Sequence, residues 1–523
     1  MYRLGIDVGG TNTDAVVMQD RKVLAGVKAA TTEDVTSGVL EALEQVLTKS
    51  GVERTRIDTV MIGTTHFTNA VIERKHISPV AAIRLGLPAT ACLPPMVDWP
   101  ESLRQATGDL GYLVRGGYEF DGREIAPLDE AEIDRIADDI NAKKVAAAAI
   151  SAVFSPINRE MEIAAKERLR RKCPDLPVVL SSDIGRIGLL ERESAAIMNA
   201  SLLALSERTV EAFARALRSI GLVCPFYITQ NDGTLMSADV VKRFPVLTFA
   251  SGPTNSMRGA AFLTGIKNGI VVDIGGTTTD VGALQQGFPR QAATVVDIGG
   301  VRTNFRMPDV FSIGLGGGSL VRRGPDGAVS VGPQSVGYRI TKEAMVFGGD
   351  TLTATDIAVA LGQCEVGDVS RAAAIDKATA GEARRLITQM LETAVERSRI
   401  SPEPVPVIAV GGGSILMPER LGELAVLRPE NFAVANAVGA AIAQISGEVD
   451  RIYALENGLS REECLRQAEE EATQRALASG AQAGTIEVIE REDVPLAYLP
   501  GNATRIHVKV VGEMGGAHAD QPA

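Results

Sequence analysis

The chain has 523 residues, 45% of them hydrophobic and 23% charged, with a formal net charge of −12 and a pI near 5.1. These are values of a soluble globular protein with several domains, and the acidic balance excludes the basic footprint of a nucleic-acid binder. No apolar run reaches the ~20 residues of a membrane span. The N-terminus enters a strand pattern, not a signal peptide, and the five dispersed cysteines lack CxxC spacing, so they read as free thiols of a cytoplasmic protein.

In chain order, "YRLGIDVGG", "DAVVMQ" and "KVLAGVKAA" read as three successive strands, followed by a helix near 35–47. "TVMIGTT" is a strand, "HFTNAVIERK" a helix and "PVAAIRL" a strand. Residues 86–127, rich in proline and glycine, read as an irregular insertion or cap. A helix from Asp129, the strand "VAAAAIS", a helix from Asn158, the strand "LPVVLSS" and a long helix near 191–219 follow. The second half begins again. "PFYITQND" is a strand, "SGPTNSMRGAAFLTG" becomes a helix, and "NGIVVDIGG", "TDVGALQ" and "QAATVVDIGG" repeat the three-strand opening. A glycine-rich stretch over 301–349, helices near 356–361 and 381–399, "PVPVIAVGGGS" and the small-residue helix "AVANAVGAAIAQ" complete that half. This alternation predicts an α/β architecture. The expected divisions are 1–220, 221–446, a small α+β extension over 447–514 and a disordered tail over 515–523.

The repeat carries chemistry. "DVGGTNTD" (Asp7 to Asp14) and "DIGGTTTD" (Asp273 to Asp280) are nearly the same octet. Gly9, Gly10, Gly275 and Gly276 let a backbone approach a ligand closely, and successive N–H groups in such a turn cradle an anion. Thr11, Asn12, Thr13, Thr277 and Thr278 add donors for phosphate oxygens. Asp7 and Asp273 at the strand ends call for a cation, Mg²⁺ held through water, if phosphate binds there. "DIGGVRTN" at Asp297 lacks the threonine and the closing aspartate and reads as a structural turn. Neither octet is a P-loop or a dinucleotide fingerprint, because a strand follows the glycines.

Two such turns resemble the phosphate loops of the actin-like ATPase superfamily, and "VIAVGGGSILMP" resembles its adenosine loop, with Gly411, Gly412 and Gly413 against the nucleotide. The order of "GTTHFTNAVIERK", "ERESAAIMNASL", "SGPTNSMRGA", "DIGGTTTDV" and "SIGLGGGSL" resembles the hydantoinase A/5-oxoprolinase family over roughly residues 2–445. The resemblance implies duplicated actin-like (ribonuclease H-like) domains facing a nucleotide cleft. It also implies use of ATP and Mg²⁺ to phosphorylate the amide oxygen of a cyclic amide for ring opening, or service as the ATPase subunit of a ketone carboxylase. A separate B-type subunit completes hydrolysis in the ring openers. The chain is therefore expected to be a subunit of an oligomer that needs this partner, and alone to hydrolyse ATP slowly without opening rings.

Departures leave roles open. Thr64, Thr65 and Asn69 are candidate substrate contacts. His66 follows the Gly-Thr-Thr of its motif instead of preceding it, and is either a substrate donor or a surface residue. Glu191 and Arg192 either reach the cleft or cap a helix. Asp232 in "QNDGT" is either a general base, as in a stand-alone sugar-type kinase, or part of a hairpin turn. Gly316 and Gly317 in "GLGGGS" form a further phosphate or substrate loop, or a hinge. A chaperone-like ATPase regulator is a third reading, and cysteine spacing excludes an iron–sulfur activator.

Overall fold

A computed structural model describes residues 1–10, 12–30, 35–292, 295–453, 455, 460–497 and 502–515. Two mixed sheets dominate it. In the first, Tyr2–Val8 and Asn12–Gln19 form a hairpin, Lys22–Ala30 continues it antiparallel, and Thr59–Thr64 lies parallel on the other side of Tyr2–Val8. In the second, Gly269–Ile274 and Thr279–Gln285 form the equivalent hairpin, and Val407–Val410 takes the place of Thr59–Thr64. The duplicated motif thus marks a duplicated topology, the actin-like α/β arrangement.

The strands are apolar runs because helices cover both faces. Helices Val35–Ser50 and Leu189–Ser219 bury Val39, Leu43 and Ile197 in one cluster with Leu4, Ile6 and Ile62. Helix Lys377–Ser398 buries Ile387 and Leu391 with Ile270, Val272 and Ala409 of the second sheet. Between the sheets lie two small-residue helices. Ala435–Ala441 packs against Val16 and Met18 of the first sheet, and Ser251–Thr264 packs through Met257 and Ala260 against Val271 and Ile408 of the second. These helices touch backbone to backbone. A Cβ on Gly439 would lie 1.8 Å from the Asn255 carbonyl oxygen, and one on Gly259 would lie 1.8 Å from that of Ala435. Only glycine permits such an approach.

Sheet membership does not follow the expected divisions. Phe226–Thr229 and Thr234–Ser237, beyond the expected cut at 220, belong to the first sheet. Gln444–Tyr453, Thr504–Gly512 and Glu487–Pro495 continue that sheet to its far edge, covered by Cys464, Ala468 and Ala472 of helix Arg461–Ala478. The extension over 447–514 is therefore built onto the first sheet. The stretch 86–127 contains the strand Leu110–Arg115, paired in parallel with Val80–Leu87 in a separate four-stranded sheet. That strand lies at a sheet edge and buries only Val114 fully, so its apolar pattern is weak. The expected disordered tail falls, from residue 516, outside the described residues. Among the described residues no helix is long and apolar enough to cross a membrane.

Candidate active site

The two octets form the same turn. The Gly9 N–H donates to the Asn12 carbonyl at 3.0 Å, and the Gly275 N–H donates to the Thr278 carbonyl at 2.9 Å. Each octet opens and closes on aspartate because the two residues are cross-strand partners: Asp7 lies opposite Asp14, and Asp273 opposite Asp280. Side chains in that relation share one face of the sheet. The parallel neighbour supplies a glycine beside each leading aspartate. A Cβ on Gly63 would lie 2.2 Å from Asp7 Oδ1, and one on Gly411 would lie 2.2 Å from Asp273 Oδ1. Gly9, Gly10 and Gly275 do not have positive φ. Their use is therefore the missing side chain and not an unusual backbone, and among the described residues, its chain neighbours aside, a Cβ on Gly10 would meet no atom within 4 Å. By contrast, the turn after Asp297 is a short hairpin with Gly299 and Gly300 at φ 63° and 89°.

The central helices hold the carboxylates. Asn255 and Asn436 each donate an amide N–H to Asp7 at 3.0 Å, and Asn436 also reaches Asp14 at 2.8 Å. Ser256 bonds Asp273. Lys28 places its ammonium 2.6 Å from both oxygens of Asp14, while a Cβ on Gly412 would lie 3.7 Å from Lys28 Cε. Burial, opposed by Asn255 and reinforced by the charges of Asp14 and Asp273, pushes the Asp7 carboxyl up to about 6. Burial, opposed by Ser312 and reinforced by Asp273, pushes Asp280 up to about 6. Burial also raises Asp14, against Lys28, and raises Asp273, against Ser256 and Lys28. The charge of Asp273 acts on Asp7, and those of Lys28 and Asp14 act on Asp273, so the two turns lie near each other.

The raised values make a stability prediction. In the unfolded chain these carboxyls titrate near 3.8, whereas in the native state Asp7 and Asp280 keep their protons to about pH 6. The native state binds more protons in that window, so the stability these groups contribute is present below it and is lost as pH rises through it. In metal-free, nucleotide-free buffer, the Tm of Asp280→Asn relative to the natural chain should rise between pH 4 and pH 7. A difference independent of pH would contradict the assignment.

Other candidate residues divide. Thr64 and Thr65 lie beside the first turn: the Thr65 N–H and hydroxyl both reach the Val8 carbonyl, at 3.3 and 3.4 Å, and Asn69 donates to the Thr65 hydroxyl at 3.4 Å. His66 is half-buried. Burial, then His76 and Arg208, lower its pKa, against Glu73. Thr11 lies outside the described residues. Gly411 and Gly413 press on Asp273, Ile274 and Gly275, so the triple glycine buttresses the second turn. The "GLGGGS" loop does so from another side. The Gly317 and Gly318 N–H groups donate to the Gly275 and Gly276 carbonyls at 3.0 and 2.8 Å, and the Gly316 N–H donates to Ser319. With those donors engaged, Gly316 and Gly317 shape the turn and do not present N–H groups to phosphate.

Arg192 is not a cleft residue. It is fully buried, and its guanidinium donates to the Ser181 hydroxyl and to the carbonyls of Ala152, Arg186 and Ile187. Burial lowers its pKa to about 10. Glu191 faces Arg302 at 3.4 Å on the wall of a separate cavity. Asp232 lines that cavity too, in a buried ion pair with Lys509, and its other oxygen accepts from the Thr234 N–H and hydroxyl at 2.9 and 2.6 Å. Asn255, Asn436 and Lys28 went unassigned in the sequence. Asn255 sits in the "SGPTNS" motif, but nothing local reveals its partner.

The sequence matches two family models, the hydantoinase/oxoprolinase N-terminal region over residues 3–173 and hydantoinase/oxoprolinase over residues 192–398. The chain belongs to the hydantoinase/oxoprolinase family. Both octets and Asn255, one of the two amides that hold Asp7, lie in the matched regions. The chain is similar to the caprolactamase subunit alpha of Pseudomonas jessenii, 29% identical over 84% of this chain and 65% of that protein. It is also similar to the acetophenone carboxylase gamma subunit of Aromatoleum aromaticum, 28% identical over 69% and 53%. It thus spans between about half and two thirds of the length of these relatives. In fold it resembles the ATP-dependent caprolactamase of Pseudomonas jessenii, with TM-score 0.77 and 22% identity over 100% of this chain and 90% of that one. It also resembles nucleotide-free acetone carboxylase, with TM-score 0.70 and 19% identity over 100% and 89%.

Proposed function

We propose that this family member binds Mg·ATP between its two turns and phosphorylates the carbonyl oxygen of a cyclic amide of the hydantoin, 5-oxoproline or lactam type. In this reading it is the ATP-using subunit of an assembly whose partner completes ring opening. The observation that carries the reading is the pair of equivalent turns, each presenting two aspartates on one face, with the charge of Asp273 acting on Asp7. The donor set suits a divalent cation held through water: the oxygens of Asp7, Asp14, Asp273 and Asp280 do not gather as a direct ligand group, but all four have raised pKa values and Lys28 lies beside Asp14. Gly10 fits a phosphate, because no protein neighbour requires the absence of its Cβ. Mg²⁺, when bound by these carboxylates, supplies charge neutralisation to the phosphates.

The chain's own residues do the rest. The N–H groups of the turns and the hydroxyls of Thr277 and Thr278 orient phosphate oxygens, and Asn255 and Asn436 fix the direction of Asp7. Phosphoryl transfer needs positioning and charge stabilisation more than covalent help. The amide carbon is a poor electrophile because nitrogen donates into the carbonyl; once its oxygen is phosphorylated, the carbon is open to water and the oxygen becomes part of a phosphate leaving group. Thr64, Thr65 and Asn69, beside the first turn, are placed to meet the ring.

The names of relatives as subunits favour a partner, and the carboxylase relatives favour a second reading in which the same site activates a ketone or its co-substrate. The ion pair of Asp232 with Lys509 weighs against a stand-alone kinase with Asp232 as free base. A ring substrate labelled with ¹⁸O at the carbonyl, incubated with ATP, the chain and a B-type subunit, should deliver the label to inorganic phosphate. Ring opening with unlabelled phosphate would sink the proposal.

A further inference from the structure

The cavity lined by Glu191 and Asp232 has a volume of about 1170 Å³, includes no described residue of either octet, and is linked to the first turn through side chains. Asn255, which holds Asp7, also donates to the Thr229 hydroxyl at 3.1 Å, and Thr254 donates to the Asn231 carbonyl at 2.8 Å. Asn231 and Asp232 are in the cavity wall. Strand Phe226–Thr229 runs parallel to Thr59–Thr64, so both loops leave the same edge of the sheet. Ligands of open α/β sheets bind at that edge.

Most charges in the wall are matched. Arg505 takes both oxygens of Asp450, and Arg159 pairs with Asp183 at 2.6 Å. Arg306 is held by Glu490 and by His507, whose other nitrogen lies 2.9 Å from Glu448. Although burial opposes it, His507, Arg306 and Lys509 keep the Glu448 carboxyl well below the usual range. Arg186 differs. Among the described residues its guanidinium has no hydrogen-bonded acceptor, and its nearest carboxylate, Asp450, is 3.9 Å away and already taken by Arg505. Burial, with Arg505 and Arg306 as like-charged neighbours, lowers its pKa.

The backbone of Arg186 is nevertheless held from two sides. The Arg186 N–H donates to Asn304 at 3.2 Å, and the buried Arg192 donates to the carbonyls of Arg186 and Ile187 at 2.8 and 2.6 Å. A Cβ on Gly185 would lie 2.5 Å from Asn304 Oδ1 and 2.6 Å from Arg192 Cγ, so the loop is tightly seated. A guanidinium carried on a firmly seated backbone, with unused donors on a cavity wall, is a recognition element for a planar oxyanion. With most other charges in the wall matched, Arg186 supplies a single loosely matched positive charge, which suits a monoanion better than a dianion such as phosphate.

We propose that Arg186 is a specificity residue that receives a carboxylate-type monoanion, either the carboxylate of an anionic cyclic amide or bicarbonate as co-substrate. The inference rests on the reading that this cavity adjoins the site of phosphoryl transfer. The test is isothermal titration of the full chain, with and without Mg·ATP, using three probes: 5-oxoproline, 2-pyrrolidinone (the same ring without the carboxylate) and bicarbonate. The expected result is binding of 5-oxoproline or bicarbonate, weakened ~10–100-fold in Arg186→Met and less in Arg186→Lys, with Mg·ATP affinity unchanged. Which of the two anions binds identifies the source. Equal binding of 2-pyrrolidinone and 5-oxoproline, binding of neither anion, or anion binding unaltered by Arg186→Met would overturn the proposal. Failure of the natural chain to bind Mg·ATP would instead strike the reading beneath it, because the titrations without nucleotide decide the role of Arg186 separately.

Discussion

Asp7→Asn and Asp273→Asn should each lower kcat for Mg·ATP hydrolysis by ~10²–10³, the cost of removing one charge-stabilising group from a pre-organised site, while leaving the chain folded. The substitutions keep shape and remove charge. Both positions lie where burial and like charges already disfavour the ionised form, so neutralisation relieves repulsion and does not open a cavity. The lost acceptor at Asp7 affects only amide contacts from Asn255 and Asn436. Loss of turnover with a retained cooperative melt is the expected pattern. Undiminished hydrolysis in both purified variants would show that neither carboxylate serves the nucleotide.

The second large effect is on stability. Arg84 and Glu193 form an ion pair whose side chains are 0% and 4% exposed. Arg84 Nε donates to Glu193 at 2.7 Å, the Ser151 hydroxyl adds a bond at 2.6 Å, and the remaining guanidinium nitrogen reaches the Leu93 carbonyl. The pair joins the four-stranded sheet to the long helix Leu189–Ser219. Arg84→Met leaves a buried carboxylate uncompensated and should cost ~3–5 kcal/mol in urea unfolding. Arg84→Met combined with Glu193→Leu removes both charges and should recover most of that loss. If single and double variants unfold alike, the stranded charge is not the cause.

What the sequence revealed follows the range of the interactions. The octets were legible because turn, strand and carboxylate lie within eight letters, and the long helices because their apolar spacing is local. Arg192 misled because charges at a helix start resemble caps or ligands. Only the fold brings the Ala152 carbonyl and the 181–188 loop around it. Asp232 looked like a base because its partner Lys509 is 277 residues away. Asn436 was invisible for the same reason, reaching Asp7 across 429 residues. Glycines were legible as glycines, but not as what they serve: Gly316 and Gly413 seat the second turn, while Gly10 leaves the first one open.

The contact of Gly259 with Ala435 and of Gly439 with Asn255 has a mechanical consequence. Any side chain added at either glycine would push the two helices, and with them the two sheets, apart. Asn255 is at the contact itself and Asn436 is next to Ala435, so the same displacement would shift the amides that hold Asp7. The seam between the halves and the aim of that carboxylate are thus set together by one pair of missing side chains.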